Sequence, residues 1–118
     1  MIEIINEHPK TVEKYRKWLK KNYQDDYGKE NFPEITDNMI AKVIDKSPMS
    51  LTRFFDSLEL IGTINYDYME GIFQLYLNGM AIEDEDPDNE SVIMGDTDRL
   101  EAERKLIKYL FIEAEKTL

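Results

Sequence analysis

The hydrophobic period of this chain changes twice, and those changes divide it. Up to Leu58 apolar residues recur at helical spacing, from Leu60 to Leu77 they alternate, and after Asp98 the helical period returns. Val12, Tyr15, Leu19 and Tyr23, with Trp18 beside them, form a stripe that predicts a helix from Pro9 to about Tyr23, Pro9 suiting the first turn. Gly28, Asn31 and Pro33 predict a loop over residues 24–33. Thr36 is a good N-cap for a short helix to about Asp45 that buries Met39, Ile40 and Val43. Lys46-Ser47-Pro48 ends it, and Ser47 or Ser50 opens a helix carrying Leu51, Phe54, Phe55 and Leu58.

Leu60, Ile64, Tyr66 and Tyr68 then alternate with Ile61, Thr63, Asn65 and Asp67, which is strand spacing. Glu70-Gly71 fits a tight turn, Ile72–Leu77 reads as a second strand, and Asn78-Gly79 is the strongest two-residue hairpin signal in the chain. A third strand starts at Met80 or is Ser91–Met94. The competing reading is a helix from about Asp67 to Leu77 with Asn78-Gly79 as its C-cap. For the last helix, 97–117, Asp98 and Glu101 form a capping box, with Asp96 and Thr97 as alternative caps, and Glu101 and Lys105 form an i,i+4 pair. Leu100, Leu106, Ile107, Leu110, Phe111, Ala114 and Leu118 cover one broad face of it, which is best buried by packing across the sheet. The expected class is α+β: N-terminal helices, a small antiparallel sheet of two or three strands, and a long C-terminal helix packed on it. At 118 residues this is one domain, with a charge-balanced helical part at 1–58, an acidic hairpin region at 60–95 and the helix at 97–117.

Charge sharpens this division. No lysine or arginine lies between Arg53 and Arg99, while the 45 residues from Phe54 to Asp98 carry 12 carboxylates. Residues 1–53 and 99–118 are each net +1, so one block supplies the whole excess behind the formal charge of −10. A one-signed surface repels nucleic acid and attracts basic surfaces. Asp96 and Asp98 have a sufficient task in capping the last helix. Glu83–Glu90, with six acids in eight residues, has no local structural reason for its charge.

Few chemistries fit the composition. With no cysteine, a disulfide framework, a thiolate zinc site and a cysteine nucleophile are excluded. The N-terminus lacks the basic region and long apolar run of a signal peptide, and no apolar run approaches the ~20 residues needed to span a bilayer. A cytoplasmic protein without membrane contact is expected. His8, the single histidine, reads as a solvated residue beside a helix start. The five glycines are scattered, so no phosphate-cradling loop is expected. The acids lie in a polar run, whereas glycosidase chemistry needs one carboxyl buried across a cleft from another. Asp84, Asp86 and Asp88 match positions 1, 3 and 5 of a calcium loop, but Asn89 and Gly95 occupy the positions that need glycine and glutamate. No cofactor, metal site or catalytic residue is expected, and the chain reads as a non-enzyme. Met39, Met49, Met69, Met80 and Met94 read as gap-filling core or near-core residues, and Tyr66, Tyr68 and Tyr76 as a packed aromatic group on the sheet.

Phe54-Phe55-Asp56, two short strands and the capped helix Asp98-Arg99-Leu100-Glu101-Ala102-Glu103-Arg104-Lys105-Leu106 together resemble small proteins of bacteriophages and mobile elements. Those often end in a TxxEAxxxAIxxA helix after a short sheet. Leu106-Ile107 and Leu110-Phe111 are bulkier here than the small residues common in that group. The resemblance covers residues 54–118 and implies a small host-interacting protein, a class that includes inhibitors of bacterial defence systems.

The leading expectation is an acidic, non-enzymatic protein that docks on a basic protein surface, such as one that otherwise holds nucleic acid in a nuclease or ribonucleoprotein. Glu83, Asp84, Glu85, Asp86, Asp88 and Glu90 would carry the contact, with Asp67 and Glu70 in support. One alternative is a structural or self-associating module kept soluble by its charge. Another is nucleic-acid contact through Lys10, Lys14, Lys17 and Lys21, which line one face of the first helix, although the net field opposes phosphate.

Overall fold

Proline has no amide hydrogen to donate and disfavours helical geometry in the residue before it. Pro9 accordingly splits the N-terminal helical stretch at His8 into α1 (Ile2–Glu7) and α2 (Pro9–Tyr27). The computed structural model describes residues 2–27, 32–83 and 93–118, with residues 24–27 as backbone alone. α1 is too short to be stable by itself, and burial of Ile4 and Ile5 in the core holds it. α2 extends beyond Tyr23 into the stretch expected to be loop.

α3 (Asp37–Lys46) starts where the Thr36 hydroxyl accepts from the Met39 amide at 3.2 Å. Its buried residues are Ile40 and Ile44, while Met39 faces solvent. A 3₁₀ turn, Pro48–Leu51, leads into α4 (Thr52–Ser57), which buries Phe54 and Phe55. Ser47 makes no side-chain cap.

The alternating stretch forms strands, not the competing helix. β1 (Gly62–Asp67) pairs antiparallel with β2 (Ile72–Leu77), placing Ile64 opposite Leu75 and Tyr66 opposite Phe73. The β1–β2 turn is held by Asp67, whose Oδ1 accepts from the amides of Met69 and Glu70 at 2.9 and 3.2 Å. At the other end of β2, Asn78 and Gly79 both adopt positive φ, 51° and 81°, the geometry of a two-residue hairpin turn. Of the two expected third-strand locations, Met80 starts a short strand, whereas Ser91–Met94 holds only an isolated bridge at Ile93 among its described residues and the second short strand lies just beyond it. β3 (Met80–Ala81) pairs with Tyr76 and Leu77, and β4 (Gly95–Asp96) pairs with Phe73 and Gln74, both antiparallel and on the same edge of β2. They are two collinear pieces of one edge strand.

α5 (Arg99–Thr117) lies across this sheet and under the helices. Leu106 and Leu110 fit beneath β1 at Gly62, while Phe111 meets Phe55 edge-on at 5.2 Å. Ala102, Leu106, Ile107, Leu110, Phe111 and Ala114 are all fully buried. Asp98 caps the helix, its Oδ1 accepting from Leu100 N at 2.8 Å. The expected reciprocal bond from Glu101 is replaced. The Asp98 amide donates to Asp96 Oδ1 at 2.9 Å, and the Glu101 carboxylate pairs with Arg104. Lys105 consequently pairs with Asp96 at 3.0 Å and not with Glu101. Among the described residues, five α-helices and a four-stranded antiparallel sheet make an α+β fold.

Gly95 is the position where β4 comes closest to β2. A Cβ there would sit 2.3 Å from the Phe73 carbonyl oxygen, a backbone contact that no rotamer change relieves. Gly95→Ala is expected to cost about 2–3 kcal/mol, in the range of overpacked core positions, read from the urea unfolding midpoint. An unchanged midpoint would contradict the β2–β4 pairing.

Candidate functional site

The third strand is interrupted where the acidic run begins. Ile82 N donates to Leu75 O and Leu75 N donates to Met94 O, both at 2.9 Å, and Met94 N donates to Ile82 O at 2.6 Å. Glu83 and Ile93 form an antiparallel bridge just outside. The chain therefore leaves the sheet edge after Ile82 and rejoins it at Met94, with the hydrogen-bond ladder closed beneath. Asp84, Glu85, Asp86, Asp88 and Glu90 lie outside the described residues, as do the calcium-loop positions other than Gly95, which is in β4. Glu83 is exposed at the base of the interruption.

The two supporting acids sit elsewhere. Asp67 and Glu70 belong to the β1–β2 turn at the end of the sheet. Glu70 is exposed, whereas Asp67 is half-buried and committed to structure. Besides its two turn amides, it accepts from Gln74 Nε2 at 3.3 Å, and Gln74 Oε1 accepts from the Tyr76 hydroxyl at 3.2 Å. Asp96 is likewise structural. The amide of Asp98 and then the Lys105 ammonium hold its carboxyl below the usual aspartate range.

The Tyr66–Phe73 register puts Tyr66 on the face of the sheet that α5 covers, and Tyr76, opposite Thr63, on the other. The expected three-tyrosine group is therefore replaced by Tyr68, Tyr66 and Phe73, with the central Tyr66 ring 4.9 Å from Tyr68 and 4.7 Å from Phe73 and Arg99 5.7 Å above Phe73. Tyr68 is 89% exposed and Met69 97%, at the turn. Met80 is 75% exposed, so the methionines are not uniformly core. Among the described residues no element covers this turn tip or the two-residue edge strand, which spacing alone did not reveal.

Lys10, Lys14, Lys17 and Lys21 do share one side of α2, and the structure adds what the sequence could not. Trp18 from α2 and Phe54 and Leu58 from the α4 segment form an apolar floor beside them, in an open groove of about 740 Å³. Trp18 is held by rings on several sides: Tyr15 stacked at 6.3 Å, Phe54 at 5.9 Å and Tyr23 at 6.1 Å. The floor needed a contact between α2 and residues some forty positions away, which no local period encodes.

The start of α2, and with it Lys10, is fixed by a carboxylate from α5. Glu115 accepts from the Lys10 amide at 3.2 Å, from the Thr11 amide at 2.9 Å and from the Thr11 hydroxyl at 2.7 Å. Pro9 has no amide hydrogen and Val12 N donates to His8 O, so the N-terminal donors of α2 are all accounted for. His8 is not solvated: it is 7% exposed, and its Nδ1 donates to Ile4 O at 2.7 Å, closing the end of α1. Burial raises the Glu115 carboxyl, but the Thr11 hydroxyl, the Thr11 and Lys10 amides and nearby His8 outweigh it and hold it below the ordinary glutamate range. Among the described residues no buried side-chain nitrogen or oxygen is without a hydrogen-bond partner, and no three His, Asp or Glu side chains gather to hold a metal. No described helix is long and apolar enough to cross a membrane. No family model, curated protein or solved structure matches the chain.

Glu115→Ala is expected to lower stability by about 1 kcal/mol at neutral pH, the ordinary worth of a helix cap. The folded-state carboxyl ionises at lower pH than the unfolded one. Its stabilisation is therefore present above the usual glutamate value and lost as pH falls through the lowered one. Urea midpoints of wild type and variant should draw together as pH falls below the usual glutamate range. A gap of constant size down to pH ~3 would contradict this linkage.

Proposed function

We propose that this chain is a non-catalytic binding protein whose acidic segment, Glu83 to Glu90, docks on a basic protein surface that otherwise holds nucleic acid. The observation that carries the reading is the closed ladder between Ile82, Leu75 and Met94. The described sheet edge completes its hydrogen bonding at Ile82 and Met94, the two points between which the acidic run is inserted. A functional segment on a rigid scaffold has this relation to its support. The charge distribution supports the same reading. Asp67, Asp96 and Asp98 are engaged in turn and cap bonds, while Glu83 and Glu70 are exposed and carry no such task. Duplex DNA carries about one charge per 1.7 Å of axis. Six carboxylates in eight residues present a comparable density to the same arginines and lysines. The resemblance to bacteriophage proteins implies a small host-interacting protein, and an inhibitor of a bacterial defence nuclease, one member of that class, would act in this manner.

Asp84→Asn, Glu85→Gln, Asp86→Asn and Asp88→Asn introduced together should leave the unfolding midpoint within about 0.5 kcal/mol of wild type, as for surface substitutions. The same variant should lose capture of a basic nucleic-acid-binding protein from bacterial or phage-infected lysate. Affinity of the wild type for that protein should fall steeply with salt and be competed by nucleic acid. Equal capture by wild type and variant, or a salt slope that neutralisation leaves unchanged, would refute the proposal.

A further inference from the structure

The groove between α2 and α4 lies apart from the acidic segment and has a different chemistry. Its floor is apolar, made by Trp18, Phe54 and Leu58, and its long side is lined by the ammonium groups of Lys10, Lys14, Lys17 and Lys21. None of those four is in an ion pair with a described carboxylate, although the chain carries a formal charge of −10. The one acid on the rim, Glu13, lies 3.8 Å from Arg16, which is also paired with Asp37. In a chain with this excess of acid, four lysines without a described carboxylate partner, beside a floor of half-buried Trp18 and Leu58 over buried Phe54, are a local reversal of the overall charge.

We propose that this groove binds an amphipathic organic anion, a carboxylate carrying an acyl or aryl body. The apolar body would lie on Trp18, Phe54 and Leu58, and the carboxylate would meet the lysine row. A groove of about 740 Å³ is within the size range of small-molecule sites. Trp18 is pre-positioned by its three ring neighbours, so little ordering is left for the ligand to impose. Size also separates this occupant from nucleic acid. Charges are screened over ~8 Å at physiological salt, so a small monoanion senses the lysine rim alone. A strand longer than the groove extends from the rim over a net acidic protein.

Trp18 is the single tryptophan of the chain and lies in the floor, so its emission reports occupancy. The intact protein is titrated with decanoate and with decanol, its uncharged analogue, below micelle formation. Decanoate should shift Trp18 emission saturably and decanol should bind at least about tenfold more weakly, the worth of one to two lysine contacts. Lys14→Gln with Lys17→Gln, both exposed and remote from the core, should weaken decanoate about tenfold and leave decanol unchanged. Circular dichroism of the variant should match wild type. Equal affinity for decanoate and decanol, decanoate binding untouched by the lysine substitutions, or no saturable Trp18 response would each overturn the proposal. Tighter binding of oligothymidylate than of decanoate would overturn it in favour of a nucleic-acid face.

Discussion

One apolar stripe has to serve two layers. α5 is the element that touches the sheet and packs on α2, α3, α4 and the Pro48–Leu51 turn, and its six fully buried residues belong to the one described core. Leu106 and Leu110 reach the sheet at Gly62, and Phe111 reaches Phe55 and His8. The position of Gly62 follows from this. A Cβ there would come within 3.0 Å of Leu106 and 3.1 Å of Leu110, so the strand lies as near to the helix as a glycine permits. Burying bulky Leu, Ile and Phe side chains on both sides of one helix is how a chain of this size assembles enough apolar area.

The same helix also fixes its neighbours by their ends. Glu115 occupies the N-terminus of α2, where the helix dipole favours an anion, and Arg104 donates to the carbonyl of Asp45 in the last turn of α3, where it favours a cation. Arg16 of α2 completes the set by donating to the Ile35 carbonyl and pairing with Asp37 at the start of α3. These charged groups are spent on architecture. Among the described residues, the side chains of Lys10, Lys14, Lys17 and Lys21 have no such engagement, and neither do those of Glu70 and Glu83. Among the described residues, the lysine row on α2 and the acids Glu70 and Glu83 on the sheet therefore lie on different elements.

Much of this was legible in the sequence. The stripe of α5, the Thr36 and Asp98 caps, the Asn78-Gly79 turn and the two main strands follow from local period and turn chemistry, because each depends on neighbours within a few residues. α1 was not legible, since its six residues are stable only against tertiary partners. The Glu115 cap and the groove floor join residues far apart in the chain and so leave no periodic trace. Third-strand signals at both Met80 and Met94 pointed to rival positions because a single edge strand is divided by the acidic run. Asp67 looked like part of a charged surface and is instead the acceptor that shapes the β1–β2 turn.

The central claim is that the fold closes without residues 84–92. Glu83 and Ile93 face each other as the closing pair of a hairpin, so an Asn-Gly turn of two residues fits between them. The decisive measurement is urea unfolding of a chain in which Asn-Gly replaces 84–92. Shortening a loop lowers its closure entropy, a gain of about 1 kcal/mol at most. Cooperative unfolding with a midpoint equal to or above wild type is therefore predicted. A lower midpoint or a lost cooperative transition would show that the acidic run is part of the scaffold, and the account would fail.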